Sequence, residues 1–144
     1  MSDITKSKEL LKRYSIARIP FIAINTIERT RTLDVLKEIS EELSLPFYVH
    51  TLSKGIYELN TDKEISGDKS VYSAIEYMSE QMKRKQYMTL ILTEIPDLSN
   101  DNGDSRQILD LVTLANETGG VVIVLTNNPI WNQLQRLGMV IKID

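Results

Sequence analysis

The chain has 144 residues, 42% hydrophobic and 26% charged, which is the size and balance of one globular domain and argues against global disorder. Its 17 Lys and Arg stand against 20 Asp and Glu for a net charge of −3, which disfavours broad attachment to nucleic acid or an anionic membrane. With no cysteine and one histidine, His50, the chain holds no disulfide framework, no thiolate metal site and no His-pair metal site.

The opening residues are polar and charged, without the apolar core of a signal peptide, and no apolar run approaches the ~20 residues of a membrane helix. These features predict a cytoplasmic or plastid-stroma-like location. Residues 7–14 predict a short helix with Leu10, Leu11 and Tyr14 facing inward. The nearly continuous apolar run 19–25 then reads as a strand buried on both faces, with Pro20 tolerated at its start. Over residues 28–43 the pattern changes: Leu33, Leu36, Ile39 and Leu43 recur at helical spacing with charges between them.

Residues 47–50 predict a second, short strand, and residues 55–59 a further short one, with 60–67 as loop. A helix follows in which Val71, Ala74, Ile75, Met78 and Met82 share a face, with Asp68 or Ser70 as its cap. It ends in the basic cluster Lys83-Arg84-Lys85, which suits a helix carboxyl end. Residues 88–93 predict a buried strand, and Pro96 with the polar run 99–105 a long loop. Ile108, Leu111, Val112 and Ala115 define another helix, stopped by Gly119-Gly120. Residues 121–126 predict a buried strand, Asn128-Pro129 the start of a short helix ending at Gly138, and 139–143 a last strand. Alternation of strand and helix predicts an α/β fold, a three-layer αβα sandwich around a mainly parallel five-stranded sheet.

Ligands of open α/β sheets bind beyond the carboxyl ends of the strands. The candidate site residues are therefore Asn25, Thr26, Glu28 and Arg29 after the first apolar strand, Thr93 and Glu94 after the strand at 88–93, and Thr126 and Asn127, with Asn128, after the strand at 121–126. A phosphate cradle needs glycines for close backbone approach, a Lys, and a Ser or Thr. Residues 25–30 have neither glycine nor lysine, and Glu28 would repel a phosphate. Placed in the first helical turn, Glu28 would instead favour the helix dipole. Ser66-Gly67-Asp68-Lys69-Ser70 imitates the tail of a phosphate loop, but Asp68 interrupts it. At 93, where an NTPase uses an Asp to hold Mg²⁺ through water, the chain has Thr. Glu94 stands where a water-activating acid would stand, and Asn127 where a phosphate-sensing polar residue would. A lone His at a strand end, such as His50, and a surface Glu after a strand each have an ordinary structural reading.

The stretch Leu10-Leu11-Lys12-Arg13-Tyr14 through Ile19 to Arg31, the aromatic strand Phe47-Tyr48-Val49-His50 before Gly55, the run Arg106 to Leu111 and the strand at 121–126 together resemble a degenerate RecA-like N-terminal domain of bacterial and plastid-type AAA ATPases. The resemblance covers most of the chain. Val49-His50 departs from it, standing where the family's aromatic strand carries a Trp. It implies a P-loop-NTPase-like, RecA-type topology, a single domain over 1–144 that precedes a working AAA module in a longer protein, and ATP and Mg²⁺ chemistry residing in that module rather than here. It implies a non-catalytic regulatory or protein-interaction module, with the adjoining AAA module or another protein as partner and Glu28, Arg29, Arg31 and residues 98–105 as contacts. No cofactor is expected in this domain. Homo-oligomerisation is left open. Two other readings rest on the residues: a divergent nucleotide-binding protein or NTPase using Glu94 and Asn127 with Arg29 in place of the lysine, and a flavodoxin-like domain binding a small ligand at its Thr- and Asn-rich strand ends.

Overall fold

In a computed structural model, which describes residues 3–67 and 69–143, the elements run α1 (Asp3–Ile16), β1 (Phe21–Asn25), α2 (Arg29–Leu43), β2 (Phe47–Thr51), β3 (Gly55–Glu58), β4 (Glu64–Ser66), α3 (Val71–Arg84), β5 (Thr89–Leu92), α4 (Gly103–Thr118), β6 (Val121–Thr126), α5 (Asn132–Gln135) and β7 (Gly138–Lys142). The strands form one sheet in the order β4-β3-β2-β5-β6-β1-β7. From β2 across to β7 every pairing is parallel. The expected five-stranded sheet is thus present as the parallel part of a seven-stranded one.

The two additional strands belong to an antiparallel extension on β2. Thr51 Oγ1 accepts the Lys54 N–H at 3.0 Å and so tightens the turn into β3. Residues 60–67, read as loop from the sequence, contain β4. A three-residue Glu-Ile-Ser strand is too short and polar to carry a periodic signal; pairing with β3, across a register shift at Ile56 and Tyr57, creates it.

Alternation along β1 divides the core. Phe21 and Ala23 join the apolar layer under α3, α4 and α5, while Ile22 and Ile24 join the layer under α1 and α2. All four are buried, each large side chain contributing about 1.5–3 kcal/mol. Helices on both faces explain why the strands read as apolar runs rather than as alternating patterns.

The helices depart from the sequence reading in local ways. α1 is longer than 7–14, and Leu10 does not face inward: Leu11 is buried and Tyr14 packs beside it, but Leu10 is exposed. Lys8 reaches Glu38 at 3.0 Å and Glu42 at 2.6 Å, and Lys12 reaches Glu42 at 2.8 Å, tying α1 to α2. Glu28 stands before the first turn of α2, and its carboxylate makes no capping hydrogen bond. Ser70 caps α3, its hydroxyl accepting the Ser73 N–H; Asp68, the other expected cap, lies outside the described residues. α4 begins at Gly103 with Asn102 as cap, so the loop expected over 99–105 is shorter.

The last helix starts at Asn132 behind Trp131, not at Asn128-Pro129. The Thr126 hydroxyl takes the Asn128 N–H at 3.1 Å in a local turn. The chain then runs on to bury Ile130 before it coils. β7 is pressed against β1 at Gly138, where a Cβ would fall 1.7 Å from the Phe21 carbonyl oxygen.

Gly138→Ala should therefore lower unfolding stability by at least about 2 kcal/mol in urea, whereas Gly103→Ala, where an added Cβ meets nothing within 4 Å, should be close to neutral. The lysines of α1 hold the Glu42 carboxyl well below its usual value of 4.5, at about 2. A depressed folded value means the contribution is present above the unfolded value and is lost as pH falls from about 4.5 through about 2. Glu42→Gln should remove the part of the acid response in that window that α1 amide resonances report by NMR.

Candidate functional site

β1 and β6 are neighbours, yet their connections leave in opposite directions. From β1 the chain travels through α2 to β2 on one side, and from β6 through α5 to β7 on the other. Such a switch in strand order opens a crevice at the carboxyl ends of the strands. A cleft of about 340 Å³ lies there, lined by Thr26, Arg29, Thr93, Glu94, Thr126 and Asn127 together with Ile27, Ile95, Leu125 and Asn128. Seven of the nine residues singled out from the sequence, Asn128 included, thus share one cleft.

The other two do not. Asn25 follows Ala23 on the opposite face of β1 and lines a separate cavity of about 160 Å³ with Asn128, Gln135 and Val140. Glu28 is exposed at the start of α2 and does not line the cleft. Of the expected contact loop 98–105, Leu98 and Ser105 are buried, so its two ends are unavailable to a partner.

Within the cleft the polar groups are largely engaged. Thr26 is buried; its hydroxyl oxygen accepts the Glu28 N–H at 2.9 Å and lies 3.4 Å from the donating Thr32 hydroxyl. The Thr126 hydroxyl oxygen holds the Asn128 N–H, and the Thr126 carbonyl accepts the Thr26 N–H at 3.0 Å. Thr93 donates its hydroxyl to the His50 carbonyl at 2.9 Å, and its N–H points to the same oxygen at 3.3 Å. The Thr93 hydroxyl thus ties the exit of β5 to β2, while those of Thr26 and Thr126 fix the turns that leave β1 and β6, a structural use for all three.

One ion pair crosses the cleft. Arg29 Nη1 lies 2.7 Å from Glu94 Oε1, and the same oxygen accepts the Leu52 N–H at 3.4 Å. α2 supplies the arginine, the exit of β5 the carboxylate and the exit of β2 the amide. Among the described residues lining the cleft, Arg29 is the only cation, and it is already matched by Glu94. A triphosphate would meet no lysine and no glycine-rich backbone there, so the residues present do not fit that group.

Two features of the rim escaped the sequence reading. Ile27 is 81% exposed beside the cleft, and Leu52, 46% exposed, flanks it through the bond to Glu94. An apolar residue in a short loop was the available signal, but the same residue type three positions earlier, at Ile24, is core. Nearby, burial pushes the Tyr57 hydroxyl up, Asp62 adds to the rise and the Arg29 charge opposes it. Among the described residues no group of three or more His, Cys, Asp or Glu could hold a metal ion.

The fold and cleft define an open α/β domain whose strand-switch crevice carries a matched charge pair. The chain belongs to the family described as SpoVK-like AAA ATPase, N-terminal domain, which matches residues 7–143. It is therefore an AAA ATPase N-terminal domain, of a kind that associates with an AAA module. No curated protein matches the chain. No helix among the described residues is long and apolar enough to cross a membrane.

Thr93→Val should cost about 1 kcal/mol of stability, since it removes one neutral hydrogen bond. Arg29→Met should cost less than about 1 kcal/mol, because the pair is partly exposed to water. Urea denaturation of both variants checks the ranking; a larger loss for Arg29→Met would contradict it.

Proposed function

We propose that this chain is a non-catalytic regulatory or interaction module of an AAA ATPase, a single domain over 1–144 that leaves ATP hydrolysis to the adjoining AAA module. The observation that carries this reading is the Arg29–Glu94 pair at 2.7 Å across the strand-switch crevice. The cleft's only cation among the described residues is spent on a carboxylate, and residues 25–30 contain no glycine. Such a crevice offers developing phosphate charge little stabilisation.

On this reading the domain is a degenerate relative of RecA-type nucleotide-binding domains. The strand-switch crevice at the β1–β6 junction supports that descent, being where open α/β sheets take their ligands. Its location is the cytoplasm, it needs no cofactor of its own, and nucleic acid is not its partner. The rim formed by Ile27, Arg29, Glu94 and Leu52 is the surface offered to the AAA module or to another protein: two exposed apolar side chains flank a charge pair, and an arginine beside apolar surface is a frequent anchor of interfaces.

A divergent NTPase is the competing reading, favoured by one observation: Glu94 and Asn127 line the same cleft. Calorimetry with ATP and Mg²⁺ separates the two. The module reading expects no heat of binding up to ~100 µM nucleotide, weaker than any purposeful site, and equal background phosphate release for the wild type and Glu94→Gln. Micromolar binding, or release that Glu94→Gln abolishes, would remove the module reading.

A further inference from the structure

The cavity that Asn25 lines differs in chemistry from the neighbouring cleft. About 160 Å³ in volume, it lies at the carboxyl ends of β1 and β6, on the sheet face that α5 covers. Open α/β sheets take ligands at that level of the fold. Ala23, Asn25 and Thr126 line it from β1 and β6, and Val140 from β7. The segment Asn128-Pro129-Ile130 and Gln135 of α5 complete the lining. Among the described residues none that lines it is charged. Lys142, in register with Asn25 on β7, is not part of the lining.

Its polar groups are three carboxamides and one hydroxyl. The main chain of Asn25 serves the fold, its carbonyl accepting the Ile143 N–H at 2.9 Å. The side chain does not: Asn25 is half-buried, and its carboxamide bonds to no described residue. Gln135 Nε2 donates to the Ile130 carbonyl at 2.5 Å, which fixes that carboxamide and leaves Oε1 to accept. The Thr126 hydroxyl oxygen holds the Asn128 N–H at 3.1 Å, which leaves the hydroxyl hydrogen to donate. The cavity therefore offers both donors and acceptors, and no charge.

We propose that this cavity binds a small neutral ring molecule with an amide-type edge, a lactam, a pyrimidinone or a ring carboxamide, and that Asn25 anchors it. A carboxamide presents a donor and an acceptor side by side. It pairs through two parallel bonds with an edge that does the same, as Asn and Gln do with adenine. An ionised ligand would lose its water here and meet no opposite charge, so the lining selects against it.

Size and walls set the rest of the ligand. A cavity of about 150 Å³ is enough for a benzene-sized ring, so one of about 160 Å³ takes one ring and not two. Ala23, Pro129, Ile130 and Val140 give that ring apolar contact. Water against those side chains is weakly held, and a ring gains affinity by displacing it. Asn128, Gln135 and Val140 are exposed, which places the entrance on their side. A few fixed polar groups in an otherwise apolar lining are what orient a small ligand.

Heteronuclear NMR of the 144-residue chain, titrated with uracil and with nicotinamide, should shift the side-chain NH2 signals of Asn25 and Gln135. A dissociation constant of roughly 1 mM is expected for ligands of about nine heavy atoms. N,N′-dimethyluracil, whose donors are methylated, and nicotinate, which is charged, should each bind at least about tenfold more weakly. Asn25→Leu removes no described hydrogen bond of the fold. It should keep the unfolding transition and weaken uracil at least about tenfold, read at the Gln135 signal. Gln135→Met, on the exposed side of the cavity, should weaken it severalfold, read at the Asn25 signal, and decides the matter if Asn25→Leu folds poorly. Neither signal moving up to ~20 mM of both probes overturns the proposal. So does equal binding of dimethyluracil or nicotinate, and so does wild-type affinity in both folded variants.

Discussion

β1 is bonded on both edges and buried on both faces, and the rest of the molecule is arranged by that constraint. Its flanking partners are β6 and β7, and its side chains enter both apolar layers. A strand so placed must be apolar along its length, and its Cα register with β6 runs from Phe21–Val122 to Asn25–Thr126. Both strands consequently end at the same level. The crevice forms there because the next segments, α2 and α5, have to diverge to opposite sides.

What the crevice can do depends on the few residues that follow those ends. The hydroxyls of Thr26, Thr93 and Thr126 each hold a backbone group. The Arg29–Glu94 pair adds little to stability, being partly exposed, yet it decides the electrostatics of the cleft by cancelling its cation. A member of a family of AAA ATPase N-terminal domains with such a crevice presents a polar, charge-matched surface rimmed by Ile27 and Leu52. Among the described residues that line it, no unmatched cation is left to attract a polyanion.

The lateral ends of the sheet show how edges are managed within one fold. Beyond β2 the antiparallel β3 and β4 carry the sheet to a short, charged finish. Beyond β1 the sheet stops at β7, with Leu10 and Met139 beside it. Leu10 illustrates how one residue separates local pattern from tertiary placement: it lies next to Leu11 in sequence, but 100° around the helix, enough to leave the core for the edge.

Composition and periodicity determined the α/β class, the parallel strands, the faces of α3 and α4 and the strand ends that matter, because doubly covered strands and amphipathic helices write their burial directly into residue order. They also pointed to Thr26, Arg29, Thr93, Glu94, Thr126 and Asn127, which the fold brings to one cleft, since open sheets present their crevice where strands stop. Three things were decided only by the tertiary structure. β4 exists because β3 offers it a partner; the α5 start moved to Asn132 because Thr126 captured the Asn128 N–H and Ile130 had to be buried. Arg29 and Glu94, 65 positions apart in the chain, neutralise each other only because β1 and β5 flank β6 and bring their exits together. Contacts between distant residues leave no periodic trace in sequence, as they depend on strand order, which local residue choice does not encode.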